Sequence, residues 1–520
     1  MLASVLSATL HGLDGRPVRV EVDVAPGLPG FTIVGLADAA LREARERVRG
    51  ALRNSGFVHP PRRITVNLAP ADVPKAGSAL DLGIAVAVLV GSQQVTPRGR
   101  WALLGELGLG GEVRRVPGLL PMVAALARRG AGRVVVPAEA VEEAHLVPGI
   151  EVVGVATLGE AADVLRGRRV ARHSPASRAE LVPAEVAGPL APAPAGDQEE
   201  LPDLADVRGL LEARRALEIA LAGGHGLVFI GPPGSGKTML ARTIPGILPP
   251  LGDDEAREVT IVASVAGAAP LRGLVRRRPF RAPHHTSSYA ALVGGGPRMA
   301  PGEVTLAHNG VLFLDELPEF DRASLEALRQ PLEEGRVSVA RVGRAVVFPA
   351  RFQLVAAMNP CPCGWDGDPA GRCRCPTGEP ERYRGRISGP LRDRVDLWVG
   401  VPRIAARELL RTAQPEGSAA VAERVAAGRA RQLALRGRLN GRLSGRALRA
   451  AAGLDPVAQR RAVALAERAG MTARATERLV RVARTIADLE GAERVTAPHL
   501  EEAARYRPPA TDRRAAFGVA

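Results

Sequence analysis

The sequence predicts a multidomain α/β protein in three parts: a mixed α+β front domain, a phosphate-loop α/β core and a helical C-terminal region. Three observations carry that prediction. A glycine-rich loop, residues 231–238, sits between an apolar strand pattern and a helix pattern. A proline- and alanine-rich run within residues 172–203 separates two globular stretches. From about residue 403 onward the periodicity is helical, with arginine-rich faces. At roughly 100–200 residues per domain, 520 residues fit three.

The front domain, 1–171, alternates strand and helix patterns. Val18–Val24 alternates as a strand and 37–55 reads as a charged amphipathic helix with Leu41, Val48 and Leu52 on one face. Ile64–Leu68 reads as a strand, 79–90 as a buried helix and Val134–Val136 as a short strand. The core is placed at 204–402 and the helical region at 403–520.

In the core, Gly231, Pro232, Pro233, Gly234, Ser235, Gly236, Lys237 and Thr238 follow the apolar strand Leu227–Ile230. Glycines let backbone N–H groups wrap phosphates, and the helix that follows adds the positive end of its dipole. Lys237 is expected to reach the outer phosphates of ATP, and Thr238 to offer its hydroxyl to Mg²⁺. Val311–Leu314 is a second apolar strand, ending in Asp315 and Glu316. Ligands in α/β sheets sit at that carboxyl edge, so Asp315 is expected to hold Mg²⁺ through water and Glu316 to polarise the attacking water. A third strand, 354–358, ends in Asn359, which fits a sensor of the terminal phosphate; a turn asparagine before Pro360 is the bland alternative.

The formal net charge of +15 fits a polyanionic partner and favours nucleic acid. Lysine occurs only at Lys75 and Lys237 against 68 arginines, so a lysine that persists at 237 invites a chemical reason. The chain opens without a charged start and a long apolar run, and the apolar stretch 80–90 is too short to span a bilayer and carries Asp81. A cytoplasmic protein with no membrane partner is expected.

These residues resemble the magnesium-chelatase-like AAA+ proteins of the ComM/YifB type. The resemblance covers almost the whole chain and is most specific at 278–288, 302–316, 359–364, 388–397 and 481–489. It implies a hexameric ring driven by ATP. Arg394 matches the arginine finger that reaches a neighbour's ATP. Arg474 matches the sensor arginine of the helical lid, with Arg478 one turn later as the fallback. Residues 259–301 look like the family's helix-two insertion and 335–348 like the hairpin before the sensor strand. Those stretches carry Arg272, Arg276, Arg277, Arg278, Arg281, Arg336, Arg341 and Arg344, which are expected to track a DNA backbone from pore loops. His284 and His285 read as structural or DNA-contacting groups.

Cys361, Cys363, Cys373 and Cys375 form two C-x-C pairs nine residues apart. Four thiolates in a short Gly/Pro-rich loop suit a structural Zn²⁺, although the spacing is tighter than C-x₂-C; an iron–sulfur cluster or disulfides are the alternatives. In the front domain, 73–82, 103–120 and 128–137 are similar to Lon-type proteases. Lon chemistry needs a serine and a lysine base. The matching positions hold Ala79 and Leu120, Ser78 is one residue out of place and Lys75 belongs to the preceding loop, so proteolysis is expected to be absent. What the resemblance implies is a branch-migration helicase acting on single-stranded or branched DNA. A magnesium-chelatase-like metal-insertion or protein-remodelling ATPase is the alternative.

Overall fold

The computed structural model describes residues 1–36, 38–168, 201–267, 270–296, 299–341, 344–404 and 415–507. Most of the expected linker, 172–200, lies outside the described residues.

The front region is a seven-stranded mixed sheet with helices packed on it. Its elements are β1 (Leu2–His11), β2 (Asp14–Ala25), β3 (Gly30–Val34), α1 (Ala39–Asn54), β4 (Arg63–Ala69), α2 (Asp81–Gly91), β5 (Ala102–Leu103), α3 (Leu119–Arg128), β6 (Arg133–Pro137) and β7 (Glu151–Val155). The strand order is β3-β4-β2-β1-β5-β6-β7. The alternation of Val18, Val20, Val22 and Val24 buries all four on one face of β2, while β1 pairs antiparallel with Val5 opposite Val20. Helix α1 buries Leu41, Val48 and Leu52. Helix α2 starts at Asp81, two residues later than its sequence pattern suggests, and beyond that ion-paired carboxylate it is apolar all round and correspondingly enclosed.

The central sheet is all parallel. Helix α4 (Leu211–Gly223) leads into β8 (Leu227–Ile230), then α5 (Lys237–Arg242), α6 (Asp253–Ala266), β9 (Phe280–Arg281), β10 (Val311–Leu314), β11 (Gln353–Met358) and β12 (Leu397–Gly400). The order is β9-β10-β11-β8-β12. Every side chain of β8 and β10 is buried, as continuous apolar runs in a doubly covered parallel sheet require. Each such large side chain contributes about 1.5–3 kcal/mol of burial. The C-terminal region is helical, with α7 (Ser418–Arg436), α8 (Ala473–Leu489) and α9 (Ala497–Arg505) the elements used below. Helix α8 starts where Thr472 accepts from Ala475 N and buries Leu479, Val482, Ala483 and Ile486 against α9 and α7.

A buried polar relay joins core to helices. Asp396, just before β12, accepts from His225 Nδ1 at 2.8 Å and from Arg481 at 3.0 Å. The other His225 nitrogen meets Thr485 Oγ1 at 2.7 Å, and Asn440 bridges Thr485 to Asp488. The front region docks on α6. Gly118 N donates to Ser264 O at 2.8 Å, Leu120 N to Ser264 Oγ at 3.2 Å, and Ser264 Oγ to the buried Glu143 carboxylate at 2.6 Å.

The expected insertion, 259–301, needs correction. Phe280–Arg281 is the edge strand of the core sheet, paired with Val311 and Leu312. Two residues are too few to register as strand periodicity. The excursion proper is the hairpin Gly294–Gly295 with Ala300–Pro301, after a short helix Tyr289–Val293. The second hairpin is present as Arg336–Arg341 with Arg344–Pro349. Lys75 is buried in the front region, its ammonium donating to Pro70 O; burial lowers its pKa.

Candidate nucleotide site

Three adjacent strands deliver the candidate residues to one carboxyl edge. β8 ends in the loop 231–236, β10 in Asp315 and β11 in Asn359. Gly236, at φ +91°, opens α5 in a left-handed conformation that only glycine adopts without strain. The Lys237 ammonium donates to Gly231 O at 2.7 Å, Pro232 O at 2.8 Å and Asn359 Oδ1 at 3.2 Å. Burial pushes its pKa down to about 8, against the pull of Asp315 and Glu316. Thr238 Oγ1 donates to Asp315 Oδ2 at 2.7 Å. A hydroxyl and a carboxylate side by side are the hard oxygen donors that suit Mg²⁺.

Glu316 follows at φ +52°, a left-handed conformation costing a non-glycine residue about 1–2 kcal/mol. Strain of this kind persists where the surroundings impose it. One oxygen of its carboxylate lies 3.2 Å from His285 Nδ1, and the His285 ring packs on His284 at 4.2 Å between centroids. Thr238, Arg242, Phe280, His285, Phe313, Asp315 and Glu316 line an open cleft here. Sequence reasoning missed the His285–Glu316 contact. No sequence signal could have found it, because the strand that carries 282–288 to the same edge as Glu316, β9, is only two residues long.

Arg394 lies elsewhere. It precedes β12, whose Leu397 pairs with Leu227 at the amino end of β8, and Gly226 packs on the 394–395 backbone. The four-residue strand β8, ~13 Å long, therefore separates Arg394 from the loop that follows Ile230. Arg394 contacts Glu333, and its buried Nε has no hydrogen-bond partner among the described residues. Burial lowers its pKa, and the charges of Arg474, Arg329 and Arg478 act in the same direction. Thr472 and Ala475, on either side of Arg474 in the chain, line one cleft with Asp393, which puts the start of α8 at this same edge. Arg478 donates to Arg392 O, Val395 O and Asp393 Oδ1, holding the 392–395 loop to α8. Arg474 is exposed.

Of the eight arginines expected to form cationic loops, Arg272, Arg276, Arg277, Arg278, Arg281, Arg336, Arg341 and Arg344, four are closely ion-paired. Arg276 pairs with Asp253, Arg278 with Glu255, Arg281 with Glu303 and Arg336 with Glu334; Arg272 lies 3.9 Å from Glu142. The side chains of Arg341 and Arg344 lie outside the described residues.

The four cysteine sulfurs lie within 4.8 Å of one another, with separations of 3.4, 3.7 and 3.9 Å among Cys361, Cys363 and Cys373. Zn–S bonds of ~2.3 Å in a tetrahedron place sulfurs ~3.8 Å apart, whereas a disulfide needs ~2.0 Å. The cluster fits a four-thiolate metal. In the front region Ala79 and Leu120 are buried in one apolar cluster, against which Ile261 of α6 packs. Ser78 Oγ donates to Glu106.

The parallel sheet order, its phosphate-type loop and the helical C-terminal region put the chain in the magnesium-chelatase-like class of AAA+ proteins. Three family models agree: "Magnesium chelatase, subunit ChlI" over 203–409, "Subunit ChlI of Mg-chelatase" over 20–140 and "Magnesium chelatase, subunit ChlI C-terminal" over 415–507. Relatives are similar over nearly their whole length. A Mycobacterium tuberculosis protein is 45% identical over 514 residues, YifB of Escherichia coli 42% over 510 and competence protein ComM of Haemophilus influenzae 40% over 510, each covering 97% of both chains. The chain belongs to the YifB/ComM family. No helix among the described residues is long and apolar enough to cross a membrane.

Proposed function

We propose that this protein hydrolyses ATP as a ring of identical subunits, a hexamer by family resemblance, and uses the energy to move DNA, as a branch-migration helicase would. The observation that carries the ATPase reading is the convergence of Lys237, Thr238, Asp315 and Asn359 at one sheet edge, with Glu316 beside them. In this reading the loop 231–236 and Lys237 bind the phosphates, and Thr238 with Asp315 hold Mg²⁺, which supplies charge neutralisation on the phosphates. Glu316 orients and polarises water, and Asn359 senses the terminal phosphate.

Arg394 and Arg474 sit at the opposite edge from their own loop, so a nucleotide they touch belongs to a neighbour. That arrangement supports an oligomer in which both arginines act in trans. Arg478 is assigned to holding the finger loop. Support for DNA comes from the net charge of +15 and from the similar ComM, named for competence. It also comes from exposed arginines on the lid helices, Arg446, Arg449, Arg460 and Arg468. The ion-paired loop arginines lend it little. The front region keeps a Lon-like fold without protease chemistry, because Ala79 and Leu120 are apolar and enclosed.

A metal-insertion or protein-remodelling ATPase is the second reading, favoured by the chelatase family models. ATP turnover measured without DNA, with duplex, with single strand and with a four-way junction separates the two, using Lys237→Ala as the blank. Stimulation strongest with the junction or the single strand supports the DNA motor. Turnover indifferent to every DNA rejects it in favour of the second reading.

A further inference from the structure

The four-cysteine loop lies against the nucleotide site, and two links tie them together. The first is covalent. Asn359 is two residues ahead of Cys361, which is fully buried, and Asn359 Oδ1 accepts from the Lys237 ammonium. The second is steric. Gly364 stands at φ +83°, and a Cβ there would fall 2.5 Å from Pro233 Cδ and 3.1 Å from Pro233 Cγ. The phosphate loop thus rests directly on the backbone between Cys363 and Trp365.

The loop has little else to hold its shape. Residues 361–378 contain no helix or strand, and only Cys361 and Gly364 among them are buried. Its ties are turn hydrogen bonds, Gly364 N to Cys361 O at 2.9 Å, Asp368 N to Trp365 O at 3.1 Å and Gly371 N to Asp368 O at 3.0 Å, with Asp366 N to Cys361 Sγ at 3.2 Å and the ion pairs Arg384–Asp366 and Arg372–Asp368. Arg372 stacks on Trp365 at 3.7 Å. A loop so poor in core is one that a metal bound to its thiolates would order further.

We propose that metal in the four-cysteine loop braces the nucleotide pocket: loading fixes the backbone of 359–364, and so sets where Asn359 and Pro233 stand. This rests on the nucleotide reading above. Metal-loaded chain is then competent to bind ATP, and metal-free chain binds it weakly. The cysteines are positioning residues that touch no substrate.

The test uses the full chain, with metal content measured by mass spectrometry and Kd for a fluorescent ATP analogue measured in excess Mg²⁺. Wild type is compared with protein stripped by a zinc-selective chelator, with Cys363→Ser, with Gly364→Ala and with Lys237→Ala. Stripping is expected to weaken binding by roughly tenfold, the equivalent of ~1.4 kcal/mol, and added Zn²⁺ to restore it. Gly364→Ala keeps all four thiolates, so it should retain its metal and still lose affinity; this variant decides the matter if stripped protein or Cys363→Ser unfolds. Stripped protein and Gly364→Ala binding as wild type does, with Lys237→Ala not binding, overturns the brace. A chain that takes up no metal also overturns it. Undiminished binding by Lys237→Ala instead refutes the nucleotide reading, whatever the metal does.

Discussion

Replacing Asp396 with asparagine removes the carboxylate that His225 and Arg481 share. Asp396 is 5% exposed, His225 is fully buried and Arg481 is 16% exposed, so no partner can turn to water. Arg481 keeps Leu443 O at 2.8 Å as an uncharged acceptor. Breaking a buried pair from one side costs about 3–5 kcal/mol, because the cation left behind is uncompensated. For a cooperative unit of about 300 residues, with an unfolding entropy of ~2.1 cal/mol/K per residue, each kcal/mol moves the melting midpoint by ~1.6 °C. Calorimetry should therefore show the transition of the core and C-terminal helices falling by about 5–8 °C. Adding Arg481→Met removes the stranded cation, so the double variant should recover about 1–3 kcal/mol relative to additivity. A fall under ~2 °C, or strict additivity, would refute the reasoning. The acid limb gives a second reading. Burial pushes the Asp396 carboxyl up, but the His225 hydrogen bond and the Arg481 charge outweigh it, leaving the group below its ordinary range. Such a carboxylate contributes stability that is complete above the unfolded value of ~3.9 and lost as pH falls through the lower folded value. Wild type should keep this contribution down to about pH 4, and Asp396→Asn should lack the corresponding acid loss.

Glu316→Gln is expected to retain ATP binding while turnover drops by ~10²–10⁴; wild-type turnover in that variant would remove Glu316 from its role. His285→Ala frees the Glu316 carboxylate, so kcat should change roughly tenfold with KM for ATP nearly constant, and His285→Gln should restore part of it; a change in KM alone contradicts the contact's importance. Arg394→Ala should bind ATP yet lose ~10³-fold or more in turnover, and mixing it with Lys237→Ala chains should restore some activity, because each supplies what its neighbour lacks. No restoration in mixed assemblies would argue against action in trans. The Lys237 ammonium titrates near pH 8, and phosphate binding favours its charged form. Nucleotide affinity should therefore weaken as pH rises past about 8, and Lys237→Arg should flatten that dependence.

The site was legible where its residues are local in sequence. Lys237 and Thr238 belong to one loop–helix turn, and Asp315 and Asn359 each end an apolar run that could only be a buried strand. The front sheet was legible for the same reason, since the alternating valines of β2 fix which face is inside. Contacts between distant segments were not. Charge counting overstated the basic loops, because Glu255 and Glu303, 20 or more residues from Arg278 and Arg281, cancel those charges only after folding. The edge strand Phe280–Arg281 is too short to show a period, and without it neither the true bounds of the insertion nor the approach of His285 to Glu316 could be drawn. Arg474 and Arg478 are one helical turn apart and indistinguishable in sequence; only the carbonyls of Arg392 and Val395 single out Arg478.

The docking of Leu120 and Glu143 on Ser264 bears on how this chain can be dissected. Cutting within residues 172–200 looks harmless on paper, since the cut falls between two well-patterned stretches. Yet Ile261 of α6 would lose the apolar neighbours it shares with Ala79 and Leu120, and Ser264 would lose its carboxylate acceptor. The front fragment would meanwhile open a buried glutamate to water, still tied to Arg115. Both fragments would carry a fresh sticky wound, and their solubility would report on the surgery. Point changes at Glu143 or Ser264, with the chain left whole, ask the same question of the two halves cleanly.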